Sequence, residues 1–91
     1  MKYIYKYPLE IIDNQKIKIP GLYALLSVSE QRGNIVLYAM VDDNEPPKEI
    51  MVRIIGTGHP VPDNINEYVF LGTVNMTDGR LMWHVFTKPV E

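Results

Sequence analysis

The sequence predicts an all-β domain of about seven antiparallel strands, packed as a small sandwich or a partly open barrel with at most one short helical turn. One observation is that short runs rich in Val, Ile, Leu and Tyr recur along the chain, many of them alternating with polar residues. Another is that Gly, Pro, Asn and Asp collect between those runs, as they do in turns. The length of 91 residues is that of one domain, which we expect to span residues 1–91.

The two strands in the middle of the chain organise the predicted fold. Residues 22–42 form two apolar runs joined by a short turn that contains Arg32, which is typical of a β-hairpin. Both runs are apolar on both faces, so we expect the hairpin to lie centrally and to be covered on each side. A two-residue turn would pair Val28 with Leu37, and a three-residue turn would pair Val28 with Val36. We favour the three-residue turn, because the shorter one requires a positive φ at Arg32.

Two shorter strands precede this hairpin. The first is predicted over residues 3–11, and Pro8 places it at a sheet edge because proline lacks a backbone N–H donor. The second, at residues 16–19, directs its lysines to water, a common feature of edge strands. We expect the tyrosine stripe at residues 3–7 to pack in the core or between the sheets. If exposed, it would offer a protein-binding or base-stacking face, or pair with its copy in a homodimer.

Three further strands are predicted in the second half of the chain, at residues 49–55, 68–76 and 81–87. The last two form a hairpin closed by Asp78-Gly79, because Asp-Gly between apolar runs strongly favours a tight turn. The core face of this hairpin is predicted to carry Phe70, Gly72, Val74, Met76, Leu81, Trp83, Val85 and Thr87.

Composition and charge argue against several classes of function. The chain has no cysteine, and therefore no disulfide, thiolate metal site or cysteine nucleophile. Its net charge of −2 at pH 7 argues against general nucleic-acid binding. The missing cysteine fits a cytosolic protein. No apolar run reaches the ~18 residues of a membrane span, and the N-terminus lacks a signal peptide's apolar stretch. Acidic residues collect in residues 42–67, as solvated loops or as a rim that steers a basic partner.

Five sequence blocks follow one another along nearly the whole chain: LSVSEQRG, LYAMVD, GTGHPVP, LGTV and MWHVF, at residues 26–33, 37–42, 56–62, 71–74 and 82–86. In this order they resemble a family of small phage and prophage proteins of unknown function. The resemblance implies a viral or prophage origin and a setting in the host cytoplasm. Small phage proteins of this kind are often accessory factors, including inhibitors of host defences. The resemblance implies no particular ligand, activity or catalytic residue.

The longest irregular stretch, residues 56–66, contains two glycines and two prolines, and loops of this length are often functional. Successive N–H groups at its first turn, residues 56–59, would cradle an anion, but we expect a tight turn that needs positive φ. The two histidines, His59 and His84, lack metal-ligand spacing. No serine occupies a nucleophile elbow and no carboxylate pair is marked as catalytic, so we expect neither an enzyme nor a cofactor.

The leading hypothesis is a non-enzymatic phage accessory protein that binds a host protein, of the type that inhibits host defences. The predicted contact residues are Gly56, Thr57, Gly58, His59, Pro60 and Pro62, with Arg32 as a secondary contact. Two alternatives remain open. One is a binder of a small anionic ligand, such as a nucleotide signal, at the glycine turn between two subunits. The other is a virion or assembly component, whose partner would be a phage protein.

Overall fold

Seven antiparallel strands in two sheets form the protein, in a computed structural model that describes residues 1–77 and 79–90. The all-β prediction is therefore confirmed. The strands are β1 (Lys2–Leu9), β2 (Asn14–Ile19), β3 (Leu22–Gln31), β4 (Asn34–Asp42), β5 (Lys48–Gly56), β6 (Val69–Met76) and β7 (Leu81–Pro89). A single 3-10 turn, Ile65–Glu67, interrupts the long loop before β6.

The two sheets pack face to face as a sandwich. Sheet A has the strand order β1-β4-β3, and sheet B has the order β2-β5-β7-β6. The side chains that are almost completely buried come from both sheets, which places the core between them. These residues are Ile19, Ile35, Leu37, Val52, Val74 and Val85.

Strand β4 is the buried centre of sheet A, but its hairpin partner β3 is an edge strand. On β4 the inward Leu37 and the outward Val36 are both buried. On β3, by contrast, Tyr23 is 54% exposed and Leu26 is 40% exposed. The expectation that the whole hairpin is covered on both sides is therefore correct for β4 and wrong for β3. The reason is that β3 has a hydrogen-bonded neighbour on one side only, within the described residues.

The turn of this hairpin differs from the one we favoured. Val28 pairs with Leu37 and the loop has two residues, so the three-residue prediction is wrong. Arg32 adopts a φ of 52° and Gly33 a φ of 82°, the left-handed pair that a two-residue hairpin needs. The Glu30 carboxylate accepts the Gly33 N–H at 2.6 Å, which stabilises the turn and helps to offset the strain at Arg32.

Bulges change which side chains face the core. The pairing of β6 with β7 shifts between Phe70 and Gly72, which brings Leu71 against the core and leaves Phe70 53% exposed. Phe70 instead lies 5.3 Å from the Phe86 ring on the outer face of sheet B. The prediction that Phe70 lies on the core face is therefore wrong. Leu81 is also exposed, because it lies at the end of its strand.

The rest of the last hairpin follows the prediction. Val74 pairs with Trp83 and Met76 with Leu81, and the Arg80 N–H donates to the Thr77 carbonyl at 3.0 Å. Gly79 has a φ of 89°. Asp78, the other predicted turn residue, lies outside the described residues.

The N-terminal strands are edges, as predicted. Strand β1 forms one edge of sheet A, and β2 forms one edge of sheet B with its lysines exposed. Tyr7 packs against the core, whereas Tyr3 and Tyr5 are 42% and 51% exposed. The prediction that the tyrosine stripe packs in the core is therefore correct for Tyr7 and wrong for Tyr3 and Tyr5. The chain beside these rings is the turn at Pro20 and not a strand, so nothing there buries them.

The sheets approach closely where β3 lies beside β6. A Cβ atom on Gly72 would lie 2.9 Å from the Val28 Cγ2 atom, which is too close for an undisturbed contact. Gly72→Ala should therefore cost about 1–3 kcal/mol of unfolding free energy by overpacking. In a Val28→Ala background the same change should cost clearly less, because the clashing methyl is gone. Chemical unfolding of the four proteins in this double-mutant cycle tests the contact, and additive effects would contradict it.

Candidate functional site

The loop after β5 is held to the sheet by backbone hydrogen bonds. The Thr57 N–H donates to the Met82 carbonyl at 3.2 Å, and the His59 N–H donates to the Gly56 carbonyl at 3.0 Å. Gly58 has a φ of 87°, as expected for a tight turn. Two of the N–H groups that would form an anion cradle are thus directed to carbonyl groups of the chain itself.

A close contact at Gly56 fixes the position of His59. A Cβ atom on Gly56 would lie 2.9 Å from the His59 ring and 3.1 Å from the Trp83 ring. Only a residue without a side chain therefore allows the imidazole to lie here, edge-on to the indole with ring centroids 6.4 Å apart. The glycine at this position is explained by packing, since its φ is not positive.

A chain of three side chains connects the loop to sheet B. His84 Nε2 lies 2.8 Å from the Thr57 hydroxyl, and His84 Nδ1 lies 2.9 Å from the Thr73 hydroxyl. In the neutral imidazole one ring nitrogen donates and the other accepts, and a hydroxyl can satisfy either need. Both ring nitrogens of His84 are therefore occupied, which gives this histidine a structural role.

The structure brings together some of the predicted contact residues but not all. Gly56, Thr57 and His59 line a cleft of about 300 Å³ together with Arg80 and Trp83. This cleft lies at the end of the sandwich where the turns around residues 32–33, 57–60 and 77–80 all lie.

The other predicted contacts lie elsewhere. Pro60 and Pro62 border a separate cleft of about 200 Å³ beside Asp13 and Arg53. Arg32 lies at the same end of the sandwich, but it lines a third cleft together with Lys6 and Pro8. Gly58 is exposed at the tip of the turn. The predicted loop contacts and the secondary contact Arg32 therefore do not line one common cleft.

One feature of the surface was predicted only conditionally, and another was not predicted. Tyr3 and Tyr5 flank an exposed sheet edge, which is the case in which the sequence offered the stripe as a protein-binding face. Arg53 and Lys88 line a cleft on the outer face of sheet B, which the sequence did not predict as a site. A lone arginine inside the apolar run of residues 50–55 was the available signal for the second feature.

Within residues 1–77 and 79–90, no group of three or more His, Cys, Asp or Glu side chains is placed to hold a metal ion. No helix in that part of the chain is long and apolar enough to cross a membrane.

Comparison with known proteins identifies a family. The chain belongs to the family described as "Domain of unknown function (DUF7352)", whose model matches residues 1–91. No curated protein and no solved structure shows a significant match to the chain.

The Thr57 hydroxyl should hold the loop in place. Thr57→Val keeps the shape of the side chain but removes the hydrogen bond to His84, and we expect a loss of about 0.5–1.5 kcal/mol of unfolding free energy. We also expect faster amide exchange at His59, because the turn becomes less well anchored. Thr57→Ser retains the hydroxyl and is the matched control. Equal stability and exchange in the two variants would show that the hydrogen bond does not hold the loop.

Proposed function

We propose that this member of the DUF7352 family is a non-enzymatic binding module, encoded by a phage, that acts in the host cytoplasm by binding a host protein. The resemblance of its sequence blocks to small phage proteins supports the origin and the setting. The observation that supports binding is the exposed edge of sheet A at β1. Inhibition of a host defence is the role that this proposal favours.

Strand β1 has the properties of a site for strand addition. Within the described residues β1 pairs with β4 alone, so its other backbone edge has no neighbouring strand. Side chains are exposed on both faces of this edge, with Ile4 58% exposed on one and Tyr5 51% exposed on the other. An extended segment of a partner would form main-chain hydrogen bonds to β1 and contact both sets of side chains.

The two exposed tyrosines form an ordered apolar surface beside this edge. The rings of Tyr3 and Tyr5 stack with their centroids 5.9 Å apart and their planes 15° apart. Together with Pro20 and Pro47 they line a groove of about 310 Å³. Tyrosine offers large contact area with few rotatable bonds, which makes it common at protein interfaces. The groove would hold side chains of the added strand.

Acidic residues form one rim of this groove. Asp42, Asp43 and Glu45 all line it, and the Asn44 N–H donates to the Asp42 carboxylate at 3.0 Å. This hydrogen bond, with the nearby N-terminal ammonium and Lys2, lowers the pKa of Asp42 below its usual value. Asp42 is therefore ionised at neutral pH, but the Met1 ammonium and Lys2 lie beside it, and Glu45 lies 3.9 Å from Lys48. Asp43 makes no ion pair within the described residues, so we infer that the partner segment is extended and places a basic side chain against Asp43.

The loop at residues 56–62 remains a second candidate surface. The loop and the groove lie at opposite ends of the sandwich. The groove is at the Lys2 end of β1, where Lys2 pairs with Asp42, and the loop is at the Leu9 end, where Leu9 pairs with Ile35. Variants of the two surfaces can therefore be separated by experiment.

Photo-crosslinking in host cells tests the proposed surface. We expect a photo-reactive phenylalanine analogue in place of Tyr5 to form a discrete adduct with a host protein. The same analogue in place of Phe70 should not, although Phe70 is an equally exposed aromatic residue on the outer face of the other sheet. The purified partner identified in the adduct is then the probe for binding measurements.

We expect Tyr5→Ser to weaken binding of that partner about tenfold or more, as for a central interface residue, and Phe70→Ser to leave it unchanged. His59→Ala tests the loop. A loss of binding with His59→Ala alone would move the contact to the loop and contradict the β1 surface. An adduct that consists of a second copy of this chain would show that the edge is a dimer contact. Crosslinking to no host protein from either surface would contradict the binding function itself.

A further inference from the structure

A broad cleft lies on the outer face of sheet B. It has a volume of about 700 Å³, within the range of small-molecule sites, and is bordered by strands β2, β5 and β7 and by the segment around the 3-10 turn. Two cationic side chains, Arg53 and Lys88, lie in it. This cleft is separate from the β1 edge, whereas Arg53 also borders the smaller cleft beside Pro60 and Pro62.

Arg53 lacks a hydrogen-bond acceptor that its position requires. Its Nε atom is buried and has no partner among residues 1–77 and 79–90, and no carboxylate there lies within 4 Å of the guanidinium. A guanidinium N–H removed from water without an acceptor carries a free-energy penalty. Because the Nε atom is closed to water, a ligand oxygen would reach it only after the Arg53 side chain shifts toward the cleft, and that shift would remove the penalty.

The strand register places further polar groups around Arg53. Asn14 on β2 is directly opposite Arg53 in the pairing of β2 with β5. On the other side, Arg53 pairs with Phe86 and Met51 pairs with Lys88, so Lys88 is the diagonal neighbour of Arg53 on the same face. The cleft therefore presents an arginine, a lysine and an amide to one volume.

The charge at Lys88 is only partly neutralised. Its Nζ atom lies 3.1 Å from a Glu67 carboxylate oxygen and 5.1 Å from the centre of the Tyr68 ring. Glu67 is itself well exposed, so this ion pair is weakened by solvent. Among the described residues that line the cleft, two cations face one carboxylate, which leaves an excess positive charge that suits a small anion.

We propose that Arg53 and Lys88 bind the oxyanion group, phosphate or carboxylate, of a small organic anion. The planar guanidinium fork matches the oxygen geometry of both groups. Met51 and Tyr68 supply an apolar wall for the rest of such a ligand. This site is independent of the proposed protein-binding edge, and either can fail without the other.

Side-chain NMR of the intact protein tests the proposal without relying on a variant. The Arg53 Nε–H resonance, assigned by its loss in Arg53→Lys, should shift and saturate on titration with inorganic phosphate at constant ionic strength. A second titration with acetate separates phosphate recognition from carboxylate recognition, and saturation with either anion supports the site. The exposed Arg80 is the internal control, and its Nε–H should not saturate. A linear, non-saturating shift at Arg53 with both anions would overturn the proposal.

Two charge variants give effects of opposite sign. Lys88→Gln should weaken anion binding several-fold, because it removes the second cation. Glu67→Gln should strengthen it several-fold, because it removes the carboxylate that competes for Lys88.

Arg53→Gln should abolish the saturable shifts of backbone amides in β5 and β7, while Arg80→Gln should retain them. Saturable binding that survives in Arg53→Gln would overturn the assignment.

Discussion

A strand with large apolar side chains on both faces needs cover on both faces, and β4 imposes that requirement on the whole domain. Sheet B covers its inner face, where Leu37 meets the core that both sheets share. The outer face has no second sheet in the described part of the chain, and side chains of sheet A itself surround Val36 there. Sheet A is consequently well shielded at its centre and poorly shielded at its edges. The exposed tyrosines of β1 are the clearest result of this asymmetry.

The strands could be predicted because their patterns are local, whereas the deviations depend on packing between strands. Alternation alone identified β2 and β5, and the Asp-Gly turn set the pairing of Val74 with Trp83. The bulge beside Phe70 inserts one residue and moves that side chain to the other face, an effect that no alternation shows. The turn at Arg32 was missed because its strain is offset by a hydrogen bond from Gly33 to Glu30, which depends on the folded geometry.

In the candidate sites, too, the features that depend on local sequence could be predicted, and those that depend on packing between strands could not. The tight turn at residues 56–59 follows from its glycines, but the contact of Thr57 with His84 requires the register of β5 with β7. The sequence did mark Arg53, as a single charge within an apolar strand, but it did not show that its Nε atom would be buried without an acceptor. The tyrosine stripe was visible in the sequence, while its exposure depends on which chain segment lies beside it.

The account depends most on the claim that β4 is shielded by the domain itself while the edge at β1 is left open. Native-state amide hydrogen exchange of the purified protein measures both properties at once. We expect the amides of β4 to exchange only through global unfolding, and those amides of β1 that do not bond to β4 to exchange with little protection. Protection of those β1 amides equal to that of β4 would contradict the account, because it would mean that the edge is already covered.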